Sequence, residues 1–220
     1  MSAIAQALIL LPLSLDASSG AELVTVDSSR TVWTGEELVA SPFLTAARQG
    51  IIPVLEKLGT GLYAVKVDIA GNIDRLENSM KHLGSDGLLY NIVRREINNN
   101  AHTDSKSSTK ARLWLKRALE FMCEMIRLVV QENPLEVSVA VSQVYEETLK
   151  AYHGFLTRTA FSAALNFVPT REKFIEQVGD GQAADTTIAQ LRKLVVALKP
   201  VLAAIHNFLD AYGLDDPAVV

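Results

Sequence analysis

Apolar residues recur at the spacing of an α-helix along Lys110–Gln131, and this feature constrains the fold more than any other in the sequence. An α-helix turns by about 100° per residue. Measured from Trp114, the apolar residues of the segment cover one face, between about 20° and 140°. They are Leu115, Leu119, Met122, Met125, Ile126 and Val129. Because a helix of this kind buries its apolar face against other elements, the segment predicts a packed helix inside a domain.

Capping and helix-breaking residues mark further helices. Ser41 can cap a helix, Pro42 fits its first turn, and Gly59 can end it. Helical patterns then continue to the C-terminus, and one long helix is predicted over Leu135–Asn166, with a kink or break at Pro200 in the last helix. We therefore predict an all-α fold with about eight helices in one domain. Besides a short N-terminal helix, the predicted segments are 42–58, 62–83, 88–97, 110–131, 135–166, 170–178 and 185–212.

Composition excludes several classes of function. Of the 220 residues, 49% are apolar and 21% are charged, which is typical of a folded globular chain. The net charge of −4 argues against nucleic acid as the main partner. The single cysteine, Cys123, excludes an internal disulfide and a cysteine-based metal site. No apolar run is long enough to span a bilayer.

The first forty or so residues are the hardest part of the sequence to interpret. Ala3–Leu13 is apolar and about as long as a signal peptide, but no basic residue precedes it. We therefore predict a short helix over Ser2–Leu11, stopped by Pro12, and a cytoplasmic protein. Leu23–Val26 and Thr31–Trp33 could pair as a small hairpin, and an extended arm is the alternative.

Three polar side chains form a narrow stripe on the predicted helix 62–83. With Asp68 as the origin, Asn72 lies at about 40° and Arg75 at about −20°. The apolar face of the same helix lies directly beside them. A carboxylate, an amide and a guanidinium together offer the donors and acceptors that bind hydroxyl groups. The alternative is a surface charge pair accompanied by a neutral asparagine.

Two other helices carry a notable residue at or on an apolar face. Trp114 lies at the rim of its face, where an indole can stack on a sugar ring, and Lys110 lies one turn earlier. Arg117 is predicted to lie further round, toward solvent. His153 lies among apolar residues in its helical pattern, so it needs a hydrogen-bond partner. Trp114 and His153 each have a simpler interpretation, as a core tryptophan and a core histidine with its hydrogen bonds satisfied.

Three segments, taken together, resemble the glycolipid transfer protein family. They are VKVDIAGNIDRL from Val65 to Leu76, WLKRAL from Trp114 to Leu119, and AYHGF from Ala151 to Phe155. The resemblance covers residues 42–220, and residues 1–41 look like an extension packed on that domain. It implies a single-domain, two-layer helical sandwich that takes one glycosphingolipid from a membrane. The sugar would lie at a surface site and the ceramide in a hydrophobic pocket.

The resemblance also implies roles for the matching residues. Asp68 and Asn72 would bind the sugar, and Asp68 would also contact the ceramide amide. Arg75 stands where the family usually has lysine. Trp114 would stack on the sugar, and His153 would bind the amide carbonyl. Lys110 is placed at the head-group periphery, Phe155 in membrane contact, and Phe121, Met122, Leu156, Phe161 and Leu165 are candidate pocket residues.

The expected ligand has an uncharged sugar. In the branch of the family that binds ceramide-1-phosphate, an arginine stands at the position of Trp114. Because Lys110 adds a positive charge, a sulfated sugar is expected to be tolerated. The alternatives are a carrier of ceramide-1-phosphate or another sphingolipid, and a helical protein-interaction module. A hydrolase that uses Asp68 and His153 lacks a nucleophile motif. We expect a monomeric, non-enzymatic protein with no metal or cofactor and with transient membrane-surface contact.

Overall fold

A computed structural model describes residues 2–11, 15–16, 23–27, 30–33, 37–83 and 89–218. Helices dominate this part of the chain, so the predicted all-α class is confirmed. The α-helices are α1 Ala3–Leu10, α2 Ala40–Thr45, α3 Ile52–Glu56, α4 Tyr63–Leu83, α5 Leu89–Asn98, α6 Ser108–Val130, α7 Val137–Thr148, α8 Phe155–Ala164, α9 Arg171–Gly179 and α10 Ala184–Ala211. A π-helical segment, Ala46–Ile51, joins α2 to α3, and short 3₁₀ turns cover Thr60–Leu62, Lys150–Tyr152 and Leu165–Phe167.

Helix α6 lies at the centre of the fold and packs against α4, α7 and α10. Its apolar face is buried as the periodicity predicts, since residues such as Leu115, Leu119 and Met122 are fully inaccessible. The first turn of α6 is held from α5 by the Glu96 carboxylate. That carboxylate accepts hydrogen bonds from the backbone N–H groups of Ser108 and Thr109, at 2.7 and 2.8 Å. These contacts anchor the N-terminal end of α6.

The prediction of one long helix over Leu135–Asn166 is wrong. Helix α7 ends at Thr148, a 3₁₀ turn covers Lys150–Tyr152, and α8 begins at Phe155. Between them His153 is extended, with φ −105° and ψ 133°. Glycine is a weak helix former, and Gly154 serves as the N-cap of α8. His153 therefore lies in the extended link between α7 and α8 and not within a helix.

Helix α10 runs through Pro200 without interruption from Ala184 to Ala211, so the proline does not end the helix. The prediction that Ser41 caps a helix is wrong, because α2 begins two residues earlier than predicted, at Ala40, and its N-cap Val39 makes no side-chain cap hydrogen bond. Gly59 ends this region with a φ of 84°, a conformation that L side chains rarely adopt.

The N-terminal helix and the hairpin are both confirmed. In α1 the Ser2 hydroxyl accepts a hydrogen bond from the Ala5 amide at 3.3 Å, and the helix packs against the π-helical segment and α10. Four short strands are described: β1 Leu15–Asp16, β2 Leu23–Asp27, β3 Arg30–Trp33 and β4 Glu37–Leu38. Strands β2 and β3 pair antiparallel, with Leu23 opposite Trp33, and β1 pairs with β4. Among the described residues, no helix is both long and apolar enough to cross a bilayer.

Candidate functional site

A cavity of about 450 Å³ lies between α4, α6 and α8. Three of the predicted site residues, Asp68, Trp114 and His153, line it together, although they come from separate parts of the chain. Much of the rest of the lining is apolar or small: Gly61, Leu62, Ala64, Val65, Ala118, Leu149, Ala160, Phe161 and Ala164. The cavity therefore combines a few polar groups with an apolar wall, an arrangement that fits an amphipathic ligand.

The 3₁₀ turn Thr60–Leu62 comes very close to α8 at one side of this cavity. A Cβ atom on Gly61 would lie 2.2 Å from the backbone oxygen of Ala164, closer than real Cβ contacts allow. Glycine is therefore required at this position if the turn is to approach α8 so closely. The approach places Leu62 of the turn and Ala160 and Ala164 of α8 in one cavity lining.

Asp68 projects from α4 into the cavity. Its side chain is accessible there, yet protein surrounds it on the other sides, and this desolvation raises its pKa above the ordinary value. Hydrogen bonding from Asn72 and the charge of Arg75 oppose the rise. A partly desolvated carboxylate in an apolar cavity is a strong acceptor for ligand hydroxyl or amide N–H groups.

Asn72 and Arg75 do not line the cavity, but they belong to a hydrogen-bond network that includes the Asp68 backbone. Asn72 is fully buried, and its Nδ2 donates to the backbone oxygen of Asp68 at 2.8 Å. Arg75 donates one Nη to the Oδ1 of Asn72 and the other to the backbone oxygen of Ser105, at 3.0 Å for the latter. The stripe predicted from helical spacing is thus a connected hydrogen-bond network between α4 and the loop before α6.

Trp114 is half-buried and packs against a cation and a second ring. Its indole lies edge-to-face with Tyr152, with 6.3 Å between the ring centroids. The Arg117 guanidinium lies 3.5 Å from the Tyr152 centroid and 5.1 Å from that of Trp114. The expectation that Arg117 points toward solvent is wrong, because only 3% of this residue is exposed. The Tyr152 ring from the helix break packs over its guanidinium, a contact that the helical spacing of α6 alone does not show.

His153 is held by contacts that the sequence did not reveal. Its Nδ1 lies 3.1 Å from the Tyr145 hydroxyl, and its backbone oxygen accepts from the Arg158 Nε at 2.6 Å. The Tyr145 ring in turn stacks on Phe161, with 3.7 Å between centroids. Desolvation, and then the Arg158 charge, lower the pKa of His153, which favours the neutral ring. With Tyr145 donating to Nδ1, the neutral ring carries its proton on Nε2, available to a ligand carbonyl.

Tyr145→Phe is expected to reduce lipid binding several-fold without unfolding the protein, because it keeps the stacked ring and removes the hydroxyl that orients His153. Binding affinity for a labelled glycosylceramide, measured beside circular dichroism, tests this. Tyr90→Phe is the control, since Tyr90 packs on Phe208 outside the cavity. Equal affinities for Tyr145→Phe and the wild type would contradict the positioning role.

The structure places the five candidate pocket residues in different surroundings. Phe161 lines the cavity, and Phe121 lies behind it in edge-to-face contact, with 6.1 Å between centroids. Met122 is fully buried in the core, and Leu165 packs against that core. Leu156 is 81% exposed and does not line the cavity. The wall thus depends more on small residues, such as Ala118 and Ala160, which periodicity alone does not single out.

Lys110 lies near Trp114 and is not free. Its ammonium forms an ion pair with the Asp216 carboxylate of the C-terminal segment. This hydrogen bond, together with one from the Ala218 amide, lowers the pKa of Asp216, so the carboxylate stays charged at neutral pH. Within the described ranges, no group of three or more histidine, cysteine, aspartate or glutamate residues could hold a metal ion.

The comparison with protein families identifies this chain. The family model described as "Glycolipid transfer protein (GLTP)" matches residues 38–180. The chain belongs to the glycolipid transfer protein family. Glycolipid transfer protein 1 of Arabidopsis thaliana is 35% identical over 182 residues, which cover 82% of this chain and 88% of that relative. Pleckstrin homology domain-containing family A member 8 of Homo sapiens is 30% identical over 184 residues, covering 80% of this chain and 35% of that protein.

Solved structures agree with the family assignment. The GLTP-fold of FAPP2, described as selecting simple glycosphingolipids, superposes with a TM-score of 0.75 at 28% identity and covers 91% of this chain and 94% of that one. The fungal glycolipid transfer protein HET-C2 gives a TM-score of 0.71 at 26% identity, covering 91% and 96%. Mouse ceramide-1-phosphate transfer protein gives 0.80 at 17% identity, covering 98% and 99%. The last likeness concerns the fold alone.

Proposed function

We propose that this protein binds a single glycosphingolipid and carries it between membranes without chemical change. One observation supports this most strongly: a single cavity brings Asp68, Trp114 and His153 together against an apolar wall. An amphipathic ligand with a sugar at one end and hydrocarbon at the other matches that combination. Membership of a family whose named relatives are glycolipid transfer proteins points the same way.

The polar groups divide between the two polar parts of such a lipid. Trp114 offers an indole face for the sugar, a contact of about 1 kcal/mol by analogy with other aromatic pairs. Asp68 can accept from a sugar hydroxyl and from the ceramide N–H, since a carboxylate has several acceptor sites. His153 offers Nε2–H to the amide carbonyl. Asn72 and Arg75 hold Asp68 in place through their hydrogen-bond network, and they can contact the sugar only after local rearrangement.

Mass spectrometry of lipids that copurify with the native protein, followed by vesicle-to-vesicle transfer of labelled galactosylceramide, tests the proposal. We expect glycosphingolipids at one lipid per protein, and transfer that depends on protein concentration. Ceramide-1-phosphate that outcompetes galactosylceramide would instead show a phosphosphingolipid carrier. A protein that purifies empty and transfers nothing would favour the helical interaction module.

An exposed apolar surface borders the cavity and supplies the proposed membrane contact. Phe155 and Leu156 are 80% and 81% exposed at the start of α8, directly before the lining residue Thr157. At the other end of α8, Phe167 of the turn Leu165–Phe167 is 64% exposed, and Tyr63, which follows the turn Thr60–Leu62, is 62% exposed. Exposed apolar side chains at both ends of α8 are typical of a surface that meets a partner or a lipid bilayer.

The double substitution Phe155→Ser/Leu156→Ser is expected to slow vesicle transfer several-fold while leaving the affinity for a soluble, short-chain galactosylceramide unchanged. The physical reason is that these side chains do not line the cavity, so their loss weakens membrane adsorption and not lipid binding. Vesicle cosedimentation and transfer rates measure the effect. Val139→Ser/Val196→Ser is the matched control, since both valines are exposed on other helices. Equal slowing by the control would contradict a specific membrane face.

A further inference from the structure

The C-terminal segment Leu214–Ala218 contacts the N-terminal half of α6 beside Trp114. A second cavity of about 270 Å³ lies there, and Trp114 lines both this cavity and the larger one. Lys110, Arg117 and Asp216 line the second cavity as well. A head group that extends past the indole from the larger cavity therefore reaches a small polar space lined by charged side chains.

Asp215 and Asp216 pair with three cations of α6. Arg117 donates from Nη2 to the Asp215 carboxylate at 2.6 Å and to the backbone oxygen of Asp216 at 2.7 Å. The Lys116 ammonium is paired with Glu120 at 3.2 Å and lies 3.9 Å from the other Asp215 oxygen. Lys110 is paired with Asp216. Lys116 and Arg117 are only 5% and 3% exposed, whereas the side chains of Asp215 and Asp216 are 32% and 35% exposed, so salt screens these ion pairs in part.

Arg117 retains an unused donor despite these contacts. Within the part of the chain that the structure describes, its buried Nε–H has no hydrogen-bond partner. Buried polar groups are nearly always hydrogen-bonded, and a cation without enough acceptors is costly. Because Arg117 and Lys110 line the second cavity, an anion there would lie beside two positive charges. The carboxylates of Asp215 and Asp216 already pair with these cations, and they would repel a further anion.

We propose that Asp215 and Asp216 make the head-group site selective against anionic glycosphingolipids by neutralising Lys110 and Arg117 beside Trp114. This inference rests on the proposed function, because it concerns the head group of the same lipid. With the carboxylates in place, the second cavity accepts uncharged sugar hydroxyls. Without them, Lys110 and Arg117, which line the second cavity, form a site for the sulfate ester of a sulfated sugar. The sequence-based expectation that Lys110 helps the protein to tolerate a sulfated lipid therefore changes, since Asp216 already occupies that lysine.

The test compares transfer of galactosylceramide and 3-sulfogalactosylceramide between phosphatidylcholine vesicles at low salt. We expect Asp215→Asn/Asp216→Asn to raise the ratio of sulfated to neutral lipid transfer about tenfold, because these substitutions remove two carboxylates that would repel the sulfate. Asp216→Asn alone should give a smaller rise in this ratio. Adding Lys110→Ala to the Asp216→Asn variant should reverse that rise. High salt should shrink the rise, because it screens the exposed part of the interaction.

Glu172→Gln/Glu176→Gln on α9 is the matched control, since it changes the net charge equally and touches neither cavity. A rise of the same size in this control would overturn the inference. An unchanged ratio in both Asp215→Asn/Asp216→Asn and Asp216→Asn, with galactosylceramide still transferred, would also overturn the inference. Asp216→Asn keeps the Arg117–Asp215 pair and so tests the idea even if the double variant unfolds. A wild-type protein that transfers neither lipid would overturn the proposed function together with this inference.

Discussion

Trp114→Ala is expected to reduce galactosylceramide transfer by at least about tenfold, because it removes both the sugar-stacking face and part of the cavity wall. The indole is half-buried at the start of α6, and the residues around it are held by other contacts. Arg117 stays bonded to Asp215, and Glu96 still holds the first turn of α6. The helical fold should therefore persist, which circular dichroism measures beside the transfer assay.

Trp114→Phe is the matched variant for this experiment. It keeps an aromatic face against Tyr152 and should retain part of the transfer activity, since stacking on a sugar requires only a ring. Transfer by Trp114→Ala at the wild-type rate would show that the indole has a structural role alone. Equal loss in both variants would show that the size of the indole matters more than its aromatic character.

Asp68→Val is expected to abolish binding of glycosylceramides. The substitution removes the acceptor for sugar and amide groups and leaves those donors unpaired against an apolar wall, which costs about 1–3 kcal/mol for each group. Titration of a fluorescent galactosylceramide measures the affinity directly. Asp74→Val is the matched control on the same helix, because Asp74 is paired with Arg48 on the outside and lines no described cavity. Unchanged affinity in Asp68→Val would mean that the polar stripe on α4 does not bind ligand.

The pH dependence of the Tm of Asp68→Asn tests whether the Asp68 carboxylate stabilises the fold or costs folding stability. Desolvation raises the pKa of Asp68 above its ordinary value of 3.8, so ionisation of this carboxyl at neutral pH costs folding stability. The neutral amide avoids that cost, and we expect the Tm of the lipid-free variant to exceed that of the wild type at pH 7. The difference should shrink as the pH falls through the raised pKa and vanish below the ordinary value. A lower Tm for the variant at pH 7 would contradict this, because it would make Asp68 a stabilising residue.

Interactions within one helix were predictable because they depend on residues close in sequence. The spacing of Asp68, Asn72 and Arg75 placed them on one stripe, and the structure joins Asn72 and Arg75 by a hydrogen bond. The apolar face of Lys110–Gln131 similarly predicted α6, which spans Ser108–Val130. In both cases the geometry of an α-helix converts spacing into direction without knowledge of the rest of the fold.

The surroundings of His153 were not predictable in this way. A helix through His153 looks acceptable locally, but Tyr152 packs over Arg117, which is 35 positions away in the sequence, and the helix is interrupted there. The break also brings the Tyr145 hydroxyl to the imidazole, whereas a continuous helix would separate the two residues by about 12 Å along its axis. Such contacts join separate segments, so their energies do not leave a periodic signal in the sequence.

Local sequence was therefore enough to establish the helical class, the buried face of α6 and the polar stripe of α4, since each follows from neighbours within one or two helical turns. Packing between segments decided the rest. It brought Asp68, Trp114 and His153 into one cavity, buried Arg117, and set Asp215 and Asp216 against the cations of α6. The physical reason is that burial and ion pairing depend on which surfaces meet, and the last residues of the chain meet α6 only in the folded protein.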